Sequence, residues 1–223
     1  MTAASEFAVL VARATGGAAE EADGTRDRIL DAALNEAAAV GLDRLTVEDV
    51  VRRSRLGRMT VYRRFPRRDD LVRGLQLREI SRFLNAVAAA IDNAATPRDG
   101  VSEAFVAAVT FAQRHPLLRR IALTDPGTPL EAVAANDHEI LSIGAAFIAR
   151  EIHGEAPGEP SQQVRWVADT FARLFITYLG VPPTEPDASS EAQLRLFAGE
   201  VLTPMVNHAL RATQSVGDRH RST

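Results

Sequence analysis

The chain has 223 residues, 46% hydrophobic and 25% charged, so it can bury a sizeable core in one or two domains and is not a disordered chain. It has no cysteine, which excludes disulfides, thiolate catalysis and cysteine zinc sites. The formal charge is −3, yet Arg52–Arg73 holds nine arginines against Asp69 and Asp70, a local +7 that leaves −10 elsewhere. Such a cluster points to a polyanion at one end only, the plainer alternative being a solvated charged surface.

In chain order, residues 1–24 are rich in Ala and Gly and are expected to form a flexible arm, the alternative being an extra short helix. The apolar run Phe7–Val11 is too short to span a bilayer, and no other segment reaches that length, so no membrane contact is expected. Thr25 opens a helix to about Val40, with Ile29, Leu30, Ala33, Leu34 and Ala37 on one stripe. Gly41 ends it and Leu42 is the apolar partner of that cap. Thr46 starts a second helix that stops near Arg53 or Ser54, because Thr46-Val47-Glu48-Asp49 is close to a capping box and Val47, Val50 and Val51 form its buried side. After a tight turn at Ser54–Gly57, a third helix runs from Arg58 to Phe65, with Val61 and Phe65 inward and Pro66 as its stop. Further helices are predicted over 69–94, 98–114, 116–123, 129–152, 161–180 and 188–212, and 213–223 is expected to be a disordered polar tail.

Three short helices, the last two joined by a tight turn and the third crowded with arginine, describe a helix-turn-helix. A major groove admits one helix, and surrounding arginines neutralise phosphates. At Leu45-Thr46-Val47-Glu48-Asp49-Val50-Val51 and Met59-Thr60-Val61-Tyr62-Arg63-Arg64-Phe65-Pro66, within Arg26–Val72, the sequence resembles the TetR family of bacterial repressors. Thr60, Tyr62 and Phe65 match that family's recognition segment outright, Val61 stands for a leucine, and Arg68-Asp69-Asp70-Leu71 stands for a later block. There are departures. Arg55 sits where a turn glycine is expected, so it either takes a left-handed conformation or the turn is rebuilt. Gly57 replaces a capping serine, and Met59 and Arg64 replace glycine and histidine.

The resemblance implies an all-α chain. An N-terminal helix-turn-helix DNA-binding domain (25–72) precedes a larger helical effector-binding and dimerisation domain (73–212). By resemblance Thr60, Tyr62 and Arg68 contact phosphates. Arg58, Met59 and Arg63 are expected at base edges, Arg64 at either, and Thr46 completes the DNA-binding set. Expected partners are a double-stranded DNA operator, a second copy of the chain and a small apolar effector, in the cytoplasm and without a cofactor. Candidate pocket residues are Phe83, Val87, Phe105, Val109, Phe111, Phe147, Trp166 and Thr170, with Asn85, His115 and His138 as further orienting groups. Aromatic residues at such spacing are more often plain core. Candidate dimer residues are Phe171, Phe175, Tyr178, Leu194, Phe197 and Val201, from two helices that are apolar nearly all round.

No metal or catalytic constellation is expected. The five histidines are scattered, and the consecutive Asp137, His138 and Glu139 diverge by about 100° each on a helix. The rival from another class is an all-helical carrier or enzyme with a basic anion-binding patch; a regulator switched by a protein partner is a third reading.

Overall fold

The computed structural model describes residues 24–96, 99–124, 127, 139–181 and 183–221, and their side chains except those of 139, 140, 180 and 213–221. The predicted arm lies outside the described residues, save Gly24. All regular structure among the described residues is helical, as expected: α1 Gly24–Val40, α2 Val47–Ser54, α3 Arg58–Arg64, α4 Arg68–Asp92, α5 Asp99–Arg114, α6 Pro116–Thr124, α7 Glu139–His153, α8 Gln162–Gly180, α9 Glu191–Phe197, a π-helical turn at Ala198–Leu202, and α10 Thr203–Arg221. The described residues fall into two compact units, those within Met1–Asn85 and Phe111–Asp125 and those within Ala86–Thr110 and Pro126–Thr223.

The first unit closes around Ile29, Leu30, Ala33 and Ala37 of α1, Leu45, Val47 and Val50 of α2 and its approach, Val61 and Phe65, and Leu71 and Leu75 of α4. Each fully buried Val, Leu or Ile contributes about 1.5–3 kcal/mol relative to exposure. The predicted α1 stripe is this core, with Leu34, Leu42 and Val51 partly buried at its edge. Gly41 takes φ +95°, which a side chain would strain, and its N–H bonds the Ala37 carbonyl at 2.8 Å. The core extends past residue 72, where the sequence suggested a boundary, because Leu75 and, from α6, Leu117 complete it. Arg120 of α6 donates to the Ala39 carbonyl at 2.8 Å, satisfying an open end of α1.

A polar network braces the same unit. The Leu118 N–H donates to Nδ1 of His115 at 3.3 Å, so Nε2 carries the proton and donates to Glu79 Oε2 at 3.2 Å. Arg78 pairs with Glu79 at 2.6 Å and with Asp31 at 2.8 Å. Burial alone would raise the Glu79 carboxyl, but the His115 hydrogen bond and the Arg78 charge outweigh it and hold the group below its ordinary value. A depressed folded-state pKa gives stability that is present above the unfolded value and lost as pH falls through the folded one. Urea unfolding should therefore show Glu79→Gln destabilising the protein at neutral pH by about 1–3 kcal/mol, with the gap to wild type closing in acid. A gap independent of pH would refute the role given to the carboxylate.

In the second unit, α7, α8 and α10 meet through small residues: Ala149, Val164, Ala168 and Ala209 are buried together. Leu141 and Ala172 extend that seam. Val106 and Val109 of α5 pack on Leu194 of α9. The predicted helix 188–212 is two helices joined by a wide turn. Ser190 accepts the Gln193 N–H and starts α9, and the Thr203 N–H reaches back five residues to the Ala198 carbonyl. Pro204 supplies the reason, since it has no N–H to bond the Glu200 carbonyl. The backbone of 213–221 continues α10 instead of forming the expected tail; no proline interrupts it.

Candidate nucleic-acid interface

α2 is capped as its sequence requires. Thr46 accepts the Asp49 N–H at 3.2 Å, and its hydroxyl donates to the Asp49 carboxylate at 2.6 Å. That hydroxyl, followed by Arg52, holds the Asp49 carboxyl below its ordinary value. Arg53 pairs with the buried Glu36 of α1 at 2.6 Å. The turn then runs through Arg55 at φ 56°, ψ 27°, so the first of the two expectations for this residue holds. A left-handed arginine is strained by about 1–2 kcal/mol. Arg55→Gly is expected to raise stability by about 0.5–1 kcal/mol, less than the full strain because glycine loses more chain entropy on folding. Denaturant unfolding checks this, and an unchanged or lowered midpoint would contradict it.

α3 starts at Arg58 after Gly57, which offers no side-chain cap. Val61 is buried, and Phe65 just beyond the helix is 2% exposed, so these two fix which face points outward. Arg58, Met59 and Arg63 are exposed on that outer face, while Thr60, Tyr62 and Arg64 are half-buried. Met59, Thr60, Tyr62 and Arg63 line an open depression of about 400 Å³. Arg63 has no ion-pair partner among the described residues. Arg58 lies over the Tyr62 ring at 5.2 Å and 3.6 Å from Glu48.

Two features of this surface escape the sequence. Glu48 accepts a hydrogen bond from the Tyr62 hydroxyl. That bond, with a smaller contribution from Arg58, holds the Glu48 carboxyl below its ordinary value. An acid therefore already occupies two residues expected at DNA. Arg68, expected at a phosphate, donates to the Leu45 carbonyl at 3.0 Å and the Leu42 carbonyl at 2.6 Å, and so ties α4 to the loop before α2. Neither contact has a local signal, since the partners are 14 to 26 residues apart.

The pocket candidates are divided between the two units. Phe83 and Phe111 pair edge-on at 5.4 Å within the first unit. Val87, Phe105, Val109 and Phe147 belong to the second, where Phe105 packs on Tyr178 and Phe197 and Phe147 lies under Arg150. Trp166, 61% exposed, and Thr170 point to solvent on α8; their helix buries its opposite face, through Val164, Ala168 and Ala172. Asn85 is exposed and His115 is spent on the Glu79 brace. His138 lies outside the described residues. Among the dimer candidates, Leu194 is fully buried against Val106 and Val109 of its own chain. Periodicity cannot separate a chain's own core from a partner's. Phe171, Phe175, Tyr178 and Phe197 are half-buried, and burial pushes the Tyr178 hydroxyl up. Val201 is exposed, as is Leu196 nearby.

Among the described residues no helix is long and apolar enough to cross a membrane, and no group of three or more His, Cys, Asp or Glu could hold a metal ion. A capped helix, a left-handed turn and a short helix with a basic outer face form a helix-turn-helix, the arrangement that DNA-binding regulators place in a major groove. Residues 29–75 match the family model described as bacterial regulatory proteins, tetR family. The match covers the first helices and α4's start, so this part of the chain is similar to the DNA-binding domain of that family. It is 24% identical over 172 residues to the HTH-type transcriptional regulator AlkX of Mycobacterium tuberculosis (strain ATCC 25618 / H37Rv), covering 76% of this chain and 81% of that protein. Its fold is similar to the crystal structure of the TetR family repressor AlkX from Dietzia sp. strain DQ12-45-1b, implicated in biodegradation of n-alkanes. The TM-score is 0.58 at 20% identity, over 82% of this chain and 97% of that one.

Proposed function

We propose that this regulator is a ligand-responsive repressor that works in the cytoplasm and binds a near-palindromic operator as a homodimer. The observation that carries the DNA contact is the outer face of α3, where Arg58, Met59 and Arg63 stand exposed over the Val61–Phe65 anchor. In this reading Arg63, Met59 and Arg58 meet base edges, Thr60 and Tyr62 meet phosphates, Arg64 flanks them, and Thr46 and Arg68 hold the frame. Trp166, Leu196 and Val201 leave large apolar surfaces in water on α8, α9 and the π-helical turn, which supports association of two copies there. The effector is a small apolar molecule held by the helices of the second unit. The Dietzia repressor's implication in n-alkane biodegradation supports that chemistry. Such a ligand acts only through different affinities for the DNA-competent and released states.

Selection from random duplex DNA, followed by titration of the winner across salt, tests the reading. The expected result is a two-fold symmetric site with a steep salt slope. Equal binding to every duplex would discard it in favour of an anion-binding carrier. Apolar chains titrated into the operator complex should then weaken it. No effect from any would remove the effector and leave the DNA-binding claim standing.

A further inference from the structure

We infer that Met59 reads the C5-methyl group of a thymine in each operator half-site; the inference rests on the DNA-binding reading above. Met59 is 81% exposed, an unusual position for a large apolar side chain. It lines the α3 depression with Thr60, Tyr62 and Arg63, so its surroundings are the groove-facing residues and not a second apolar patch. The core does not need it, because Val61 and Phe65 supply the anchor of this helix.

The chemistry of the side chain narrows what it can recognise. A thioether has no hydrogen to donate and is a weak acceptor, so it cannot pair with amino or carbonyl base edges. The apolar group that a base pair offers in the major groove is the thymine methyl. Methionine is unbranched and polarizable, which suits a single-methyl contact whose exact position the helix does not fix. Its neighbours divide the remaining work. Arg58 lies over the Tyr62 ring and 3.6 Å from Glu48. Arg63 stands four residues on, along the same helix face. Four residues rise about 6 Å, and one base-pair step on a strand rises about 3.4 Å. A methyl reader and a guanidinium fork are thus spaced for base pairs about one to two steps apart. The half-site should contain a thymine that close to a guanine.

Single thymines of the selected operator can be replaced by deoxyuridine, which removes the methyl and leaves every hydrogen-bonding edge intact. Wild-type protein is expected to lose three- to tenfold in affinity at one thymine per half-site and almost nothing at the others. Met59→Ala should bind the unmodified operator that much more weakly and be indifferent to deoxyuridine at that position. Met59→Leu should keep the sensitivity. The exposed side chain makes these variants safe for the fold, which circular dichroism verifies. Sequence-specific binding with no methyl-sensitive thymine, or a methyl effect that survives in Met59→Ala, overturns the inference alone. Absence of any sequence-specific binding overturns the regulator reading and the inference with it.

Discussion

Arg63→Ala should lower affinity for the selected operator by about 1–3 kcal/mol, tenfold or more in the middle of that range, while binding to random duplex changes far less. The side chain is exposed and sits at the edge of the α3 depression, so its removal leaves no cavity and no buried partner. A bidentate arginine carries discrimination, whereas a phosphate arginine carries affinity for any sequence. The two are separated by titrating the variant on the operator, on single-base variants of it and on random DNA across salt. A base reader loses preference at one guanine position. A phosphate contact weakens all duplexes alike and lowers the salt slope by about one. The second pattern would move Arg63 out of the base-reading set.

Phe65→Ala should destabilise the protein by about 3–5 kcal/mol. That is a large share of the roughly 5–15 kcal/mol that holds a typical domain together. The ring is 2% exposed and lies between two supports. Arg26 of α1 stands over it at 5.2 Å, and on α4 an added Cβ at Gly74 would come within 2.7 Å of it. Phe65 therefore ties the end of α3 to both long helices of its unit. Urea unfolding read by helical signal measures the loss, and operator binding at a temperature where the variant is folded measures the positioning effect. A loss under 1 kcal/mol would mean that the surrounding side chains collapse into the space and that the ring is not the anchor described here.

How much the sequence disclosed depends on the range of the interaction. The ends of α1, α2 and α3 were legible because Gly41, Thr46 and Pro66 act on their own neighbours. The core of the first unit was legible because Ile29, Leu30, Val47, Val50, Val61 and Phe65 repeat at helical spacing. The left-handed Arg55 was one of two stated outcomes. The Glu48–Tyr62 bond, the Arg68 brace and the His115–Glu79 pair join elements far apart in sequence, and no spacing rule marks them. Trp166, expected in a pocket, is exposed and Leu194, expected at a dimer face, is buried in its own chain, for a common reason. Both sit on helices with apolar residues on more than one side, and only packing decides which side is covered. Pro204 was a usable signal for the wide turn after α9.

Trp166 is the chain's only tryptophan, so the protein carries a built-in optical reporter. An indole so open to water emits toward the red and is readily quenched by iodide. Covering the outer face of α8 with a second subunit would shift that emission to the blue and shield it from quencher. A dilution series without any added label therefore reads subunit association directly.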